Sequence, residues 1–151
     1  MAVFVINEWL WADLSGGNGP QHQREAFNVI DKLPQSEHQI VVIEGSPFDH
    51  KAWNLCKSLS TNPIPIQRIA GAYVANLRQN SDRCLLLRMH TLPAVPQQLA
   101  SATKADDHYL IQAQLTVAGA ILVTTDGDLC DAVTQAGLPC ISREKFLSTY
   151  L

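Results

Sequence analysis

Gly119-Ala120-Ile121-Leu122-Val123-Thr124-Thr125-Asp126-Gly127-Asp128-Leu129 joins an apolar, β-branched run to a pair of acids. The run from Ala120 to Thr124 has the composition of a buried strand, and Asp126 follows it almost directly. In open parallel sheets ligands bind in the crevice beyond the carboxyl ends of strands, so an acid there stands where chemistry is done. Just upstream, Lys104-Ala105-Asp106-Asp107-His108-Tyr109-Leu110-Ile111 sets two more acids in the first turns of a helix leading into the same strand.

Working outward, further strand-like runs occur at Ala2 to Ile6, Gln39 to Ile43, Cys84 to Met89 and Pro139 to Ile141. Helical spacing is found over Gln21 to Leu33, Pro47 to Leu59, Gln67 to Gln79, Pro96 to Ala118, Leu129 to Ala136 and Arg143 to Tyr150. Strands alternating with helices predict an α/β fold, a three-layer α/β/α sandwich with a mainly parallel sheet. Local signals agree. Ser46 before Pro47 makes a helix start, Gly137-Leu138-Pro139 a helix stop, and Ser15-Gly16-Gly17-Asn18-Gly19-Pro20 a loop after the first strand and a short helix.

The 151 residues, 46% of them hydrophobic, suffice for one core and predict a single domain over 1–151. The opening MAVFVI is apolar only briefly and runs into Asn7 and Glu8 without a basic leader, so neither a signal peptide nor a membrane span is expected. A cytoplasmic location follows as the default. Cys56, Cys84, Cys130 and Cys140 are widely spaced beside apolar runs, which predicts buried free thiols rather than a zinc site. A formal charge of -3 argues against holding nucleic acid by bulk electrostatics; an RNA partner has to meet a local basic patch.

Clustered carboxylates repel one another and are tolerated when solvated or when a divalent cation neutralises them. Oxygen-only donors favour Mg2+ or Mn2+ over zinc, and such ions take one or two protein carboxylates with water and substrate phosphate. The acids therefore suit metal-assisted phosphodiester hydrolysis, with Thr124 adding a hydroxyl that positions water or a carboxylate. Asp126-Gly127-Asp128 after a strand equally makes a turn and helix cap, and Asp106-Asp107 equally suits a helix N-terminus.

From Ala105 to Leu129 the chain resembles the PIN-domain family, whose members are typically metal-dependent ribonucleases, including the toxins of many toxin–antitoxin pairs. The resemblance rests on an acid, a helix carrying Leu110, Ile111 and Ala113, then Gly-Ala, an apolar strand and Thr-Thr-Asp-Gly-Asp-Leu. It implies that Asp107, or Asp106 with a one-residue shift, takes the role of the third family acid and Asp126 the fourth, with Asp128 and Thr124 in support. Where the family places an aspartate after its first strand, this chain has Asn7, a neutral amide ligand, followed by Glu8. Where a glutamate is expected after Ser46-Pro47, Lys51 or Ala52 stands instead. Glu44 is a candidate replacement, its alternative being an ordinary exposed acid in a turn. The resemblance thus implies a Mg2+- or Mn2+-dependent ribonuclease of reduced activity acting on single-stranded or structured RNA, with Asp107, Asp126, Asp106 and Glu8 as catalytic acids and Asp107, Asp126, Asp128 and Asn7 as metal ligands. The other implied reading is an inactive module that binds RNA or a protein partner such as an antitoxin. A homodimer is a further implication.

Arg68, Arg78, Arg83 and Arg88, with Lys51, Lys57 and Lys104, form the candidate RNA-backbone surface, set against a plain solvated face. His50 and His108 read as surface residues. Trp9, Trp11 and Trp53 suit core, an interface or base stacking, and Trp9 and Trp11 cannot point the same way, which leaves one of them for a second subunit.

Overall fold

The computed structural model describes residues 1–59 and 61–151. Its strands are β1 (Val3–Ile6), β2 (Gln39–Glu44), β3 (Cys84–Arg88), β4 (Ile121–Thr124) and β5 (Cys140–Ser142). Its helices are α1 (Trp9–Leu14), α2 (Pro20–Lys32), α3 (Pro47–Cys56), α4 (Ile64–Tyr73), α5 (Gln97–Ala102), α6 (His108–Thr116), α7 (Gly127–Gln135) and α8 (Arg143–Tyr150). The sheet is five-stranded, ordered β3-β2-β1-β4-β5, and every pairing is parallel. The α/β sandwich read from the alternation of runs is therefore the fold observed.

Strand periodicity divides the core into two layers. Phe4, Ile6, Ile40, Val42 and Val123 face α1, α2, α3, α4 and α8 on one side. Val5, Val41, Ile43 and Leu122 face α5, α6 and α7 on the other. Because both faces of the central strands β1, β2 and β4 are covered, these read as continuous apolar runs. The chain builds outward from β1 to β2 and β3, then returns to the other flank of β1 with β4. This reversal makes the carboxyl ends of β1 and β4 the switch point, where a crevice opens.

Four sequence expectations change. The helix expected over 96–118 is divided, because Thr103 and Lys104 are extended and Thr103 Oγ1 donates to the Leu99 carbonyl at 2.8 Å, closing α5 early. A single 3-10 turn, Ala105–Asp107, then starts α6 afresh. The helix expected from Gln67 begins at Ile64, after Pro63, and ends in a wide π turn, Val74–Arg78. Cys130 and Cys140 are joined in a disulfide rather than free, since α7 folds straight back onto β5 through Gly137 (φ 85) and brings their Cα atoms to 5.6 Å. Cys56 and Cys84 remain thiols, half-buried and buried.

Trp9 and Trp11 both lie in the core, against the expectation that one would face a second subunit. Helix α1 is buried almost all round, so opposite directions on it are both interior. Trp9 Nε1 donates to the Val123 carbonyl at 3.0 Å, while Trp11 packs edge-on against Tyr73 with centroids 4.7 Å apart.

Candidate functional site

A cleft of about 530 Å3 opens at the switch point, lined by Asn7, Glu8, Lys51, Asp107 and Thr125 among others. Its frame is a set of short bonds between strand ends. The Asn7 backbone N–H donates to the Val123 carbonyl at 3.1 Å, carrying the β1–β4 ladder one residue past β1. Asn7 Nδ2 then donates to Thr124 Oγ1 at 3.0 Å, and its Oδ1 accepts from the Glu8 N–H at 2.7 Å. The Thr124 hydroxyl also accepts from the Asp126 N–H at 3.1 Å. Thr124, buried, thus fixes the start of the loop that carries Asp126, and Asn7 fixes Glu8. An amide oxygen has two lone pairs, so Asn7 Oδ1 keeps one beyond that bond.

Asp126 caps α7: its Oδ1 accepts from the backbone N–H groups of Asp128 and Leu129 at 3.0 and 3.1 Å. Its other oxygen has no hydrogen bond among the described residues. Capping and a free carboxylate oxygen coexist, so the two meanings of Asp-Gly-Asp in the sequence are compatible. Asp128 is exposed on the first turn of α7 and does not line the cleft.

Asp107 ends the 3-10 turn, half-buried, and makes no side-chain cap for α6. Burial pushes its carboxyl above the usual carboxylate range. The charges of Asp126, Glu8 and Asp106 push the same way, against Lys104. Acids that follow β1 and β4 therefore act on the Asp107 carboxyl at the start of α6. Asp106 itself is exposed.

Glu8 is held from two sides. Lys51 Nζ, in the second turn of α3, lies 2.8 Å from its Oε1, and Tyr109 OH donates to its Oε2 at 3.4 Å. Burial, followed by the Glu8 charge, raises the Tyr109 hydroxyl far above its ordinary value and keeps it a donor. Lys51, one of the two residues standing where the resemblance implies a glutamate, thus supplies a cation to the cleft. Glu44 ends β2 exposed and outside the cleft lining. His50 is exposed as expected, whereas His108 is half-buried, its buried Nε2 without a hydrogen-bond partner among the described residues. Among the described residues, no group of three or more His, Cys, Asp or Glu side chains is placed to hold a metal ion. Two carboxylates with water suffice for magnesium; the Asp107 carboxyl lines the cleft and Asp126, with its free oxygen, stands outside that lining next to Thr125, and their donor chemistry fits a hard cation.

The candidate basic surface is depleted by internal pairing. Arg78 forks onto buried Asp49, its Nε 2.5 Å from Oδ1 and its Nη2 3.0 Å from Oδ2, with its guanidinium 5.1 Å from the Trp53 ring centroid. Arg83 donates to the carbonyls of Pro34 and Asp82 at 3.1 and 3.2 Å. Arg68, Arg88, Lys57 and Lys104 have no ion pair among the described residues.

Three features of this region had no individual signal in sequence: Tyr109 as a donor to Glu8, Asp49 as a buried carboxylate, and the pair of Arg143 with Asp13 at 2.7 Å beside the cleft. Each depends on which helices become neighbours. Searches of protein-family models, curated proteins and solved structures return no match to this chain.

The shift at Asp107 has a signed consequence. A carboxyl whose folded pKa is raised favours folding while protonated, and that contribution is lost as pH rises through the folded value. At neutral pH the ionised side chain opposes folding. Asp107→Asn is therefore expected to stabilise the metal-free chain by up to about 1 kcal/mol after solvent screening, or about 2–4 °C in Tm. The gain should vanish near pH 4, in the ordinary carboxylate range. Thermal melts in chelator at both pH values check this, and a neutral-pH loss of stability would contradict it.

Proposed function

We propose that this chain is a PIN-like, Mg2+- or Mn2+-dependent endoribonuclease that hydrolyses phosphodiester bonds of single-stranded RNA, with Asp107 and Asp126 holding the ion. The observation that carries the reading is electrostatic. Asp126, Glu8 and Asp106 each push the Asp107 carboxyl upward at the switch point, while among the described residues one ammonium, that of Lys51, lies within ion-pair distance of any of the four. A divalent cation relieves that imbalance. When bound it supplies Lewis-acid stabilisation of the phosphate and a lower pKa for the attacking water.

The chain's own side chains divide the remaining work. Asn7 and Thr124 set the backbone of the acid-bearing loops. Glu8, steadied by Lys51 and Tyr109, positions water at the mouth of the cleft. Asp106 and Asp128 add negative charge from the rim. Lys104, Lys57 and Arg68 remain for phosphate contact, which calls for a salt-sensitive and modest RNA affinity. The test is cleavage of a single-stranded RNA by the full chain in manganese. Chelator should abolish it, and a chain inert in manganese under all conditions would overturn the reading.

A specific observation favours a second reading, a noncatalytic module for RNA or a protein partner: Lys51 already neutralises Glu8 from within. The two readings separate on Lys51→Gln. If Lys51 competes with a cation, this variant is expected to bind Mn2+ roughly three- to tenfold more tightly, the effect of removing one screened charge a few ångströms away. Calorimetric titration with manganese chloride measures it. Absence of manganese binding in both proteins would favour the noncatalytic module.

A further inference from the structure

The sheet ends at β3, whose outer edge no other strand covers among the described residues. Its backbone bonds show which groups are committed. The Ile40 N–H donates to the Arg83 carbonyl at 2.8 Å, so in the parallel register the odd-numbered residues of β3 turn their N–H and C=O groups toward β2. Cys84, Leu86 and Arg88 turn theirs outward. Two of those six outward groups already have partners: the Cys84 N–H donates to the Asn80 carbonyl at 2.8 Å, and the Arg88 carbonyl accepts from Thr91 Oγ1 at 2.8 Å. The Cys84 carbonyl, the Leu86 N–H and carbonyl, and the Arg88 N–H have none among the described residues.

We infer that β3 is a homodimerisation edge that pairs antiparallel with β3 of a second copy about a two-fold axis through Leu86. In that register Leu86 faces Leu86 of the second copy and exchanges both bonds with it. Arg88 faces Cys84, so its N–H meets the open Cys84 carbonyl. The two groups already committed, the Cys84 N–H and the Arg88 carbonyl, fall opposite each other where no further bond is needed. Centring the axis on Leu85 or Leu87 instead sets an open group against a committed one and leaves others unpaired. The open edge is thus self-complementary in one register, as a closed two-fold interface requires.

The side chains agree with the backbone. Between Cys84 and Arg88 there is no Lys, Pro or bulge to guard the edge, and Leu86 is 43% exposed at its centre. Met89, 51% exposed, extends the apolar rim past the strand end. The antiparallel arrangement sends the carboxyl ends of the two parallel sheets in opposite directions, so each carboxylate cleft stays open. A five-residue strand makes a small interface, and dissociation on the order of micromolar is expected.

Sedimentation equilibrium of the full chain over a wide concentration range tests the inference. The wild type is expected to shift reversibly from monomer to dimer. Leu86→Lys, which adds the missing guard, should remain monomeric with an unchanged circular-dichroism melt. A wild type that stays monomeric throughout leaves the edge to a strand of another protein and overturns the inference; so does a Leu86→Lys variant that dimerises like the wild type. Because either variant could perturb folding, Leu86→Cys provides an independent readout. A hydrogen-bonded antiparallel pair holds Cα atoms about 5.5 Å apart, within disulfide range. Mild oxidation should give a covalent dimer absent from the wild type treated alike, and a chain that stays monomeric on a denaturing gel overturns the register.

Discussion

Arg143→Met is expected to lower the unfolding free energy by about 3–5 kcal/mol, the usual cost of stranding one partner of a buried ion pair. Arg143 is 3% exposed and Asp13 1%, and they meet at 2.7 Å between the start of α8 and the end of α1. The guanidinium also reaches Glu25 at 3.4 Å and lies 5.4 Å from the Trp9 ring centroid. Without it, Asp13 keeps Asn18 Nδ2 at 2.6 Å and no counter-ion within 4 Å among the described residues. Methionine preserves most of the packing volume, so the loss reports charge. For a chain of 151 residues the corresponding drop in Tm is about 10 °C. Chemical denaturation of Arg143→Met beside the double variant Asp13→Leu/Arg143→Met checks the cause, since removing both charges should recover much of the loss. A single variant within about 1 kcal/mol of wild type would mean that the Asp13 carboxylate reaches water by local relaxation. The pair also matters to the cleft: it anchors α1, and α1 carries the Trp9 indole that bonds the last turn-in of β4 at Val123.

That pair marks where sequence reading stops. β1, β2 and β4 were legible because each is a β-branched run, and burial on both faces writes itself as unbroken hydrophobicity. The same property hides strand position: Cys84-Leu85-Leu86-Leu87-Arg88 reads like a central strand and stands at the edge. The start of α3 was legible because its cause is local, Ser46 Oγ accepting from the Asp49 N–H at 3.3 Å. The break near Thr103 was not, because apolar spacing continues through it. At the cleft, Asp126 was legible from its place after a strand, and its capping role and its free oxygen are both present. Lys51 was legible as a substitution for an acid and as a cation of the candidate basic surface, not as a partner of Glu8. Its grip on Glu8 needs α3 set beside the end of β1, and Arg78 with Asp49 needs contacts across 29 residues of sequence. Free cations in the sequence became internal partners in the fold, which is why the expected basic surface shrank.

Asp126→Asn is expected to lower manganese-dependent RNA cleavage by about 10²-fold or more, the scale for losing one preorganised electrostatic group, while leaving the fold nearly as stable. The separation follows from the two jobs of this side chain. Oδ1 caps α7 through the N–H groups of Asp128 and Leu129, and asparagine caps about as well as aspartate. What the substitution removes is the negative charge, worth at most about 1 kcal/mol to the helix end. That loss is opposed by relief at Asp107, whose carboxyl Asp126 helps to raise and which should move back toward the usual range. Manganese should therefore raise the Tm of the wild type by mass action and that of Asp126→Asn much less, with the metal-free melts of the two nearly superimposed. Cleavage rates measured alongside those melts distinguish chemistry from folding. Equal cleavage by the two proteins would remove Asp126 from the reaction and with it the assignment of the ion to Asp107 and Asp126. A large metal-free loss of Tm would instead show that the carboxylate is needed chiefly as a cap.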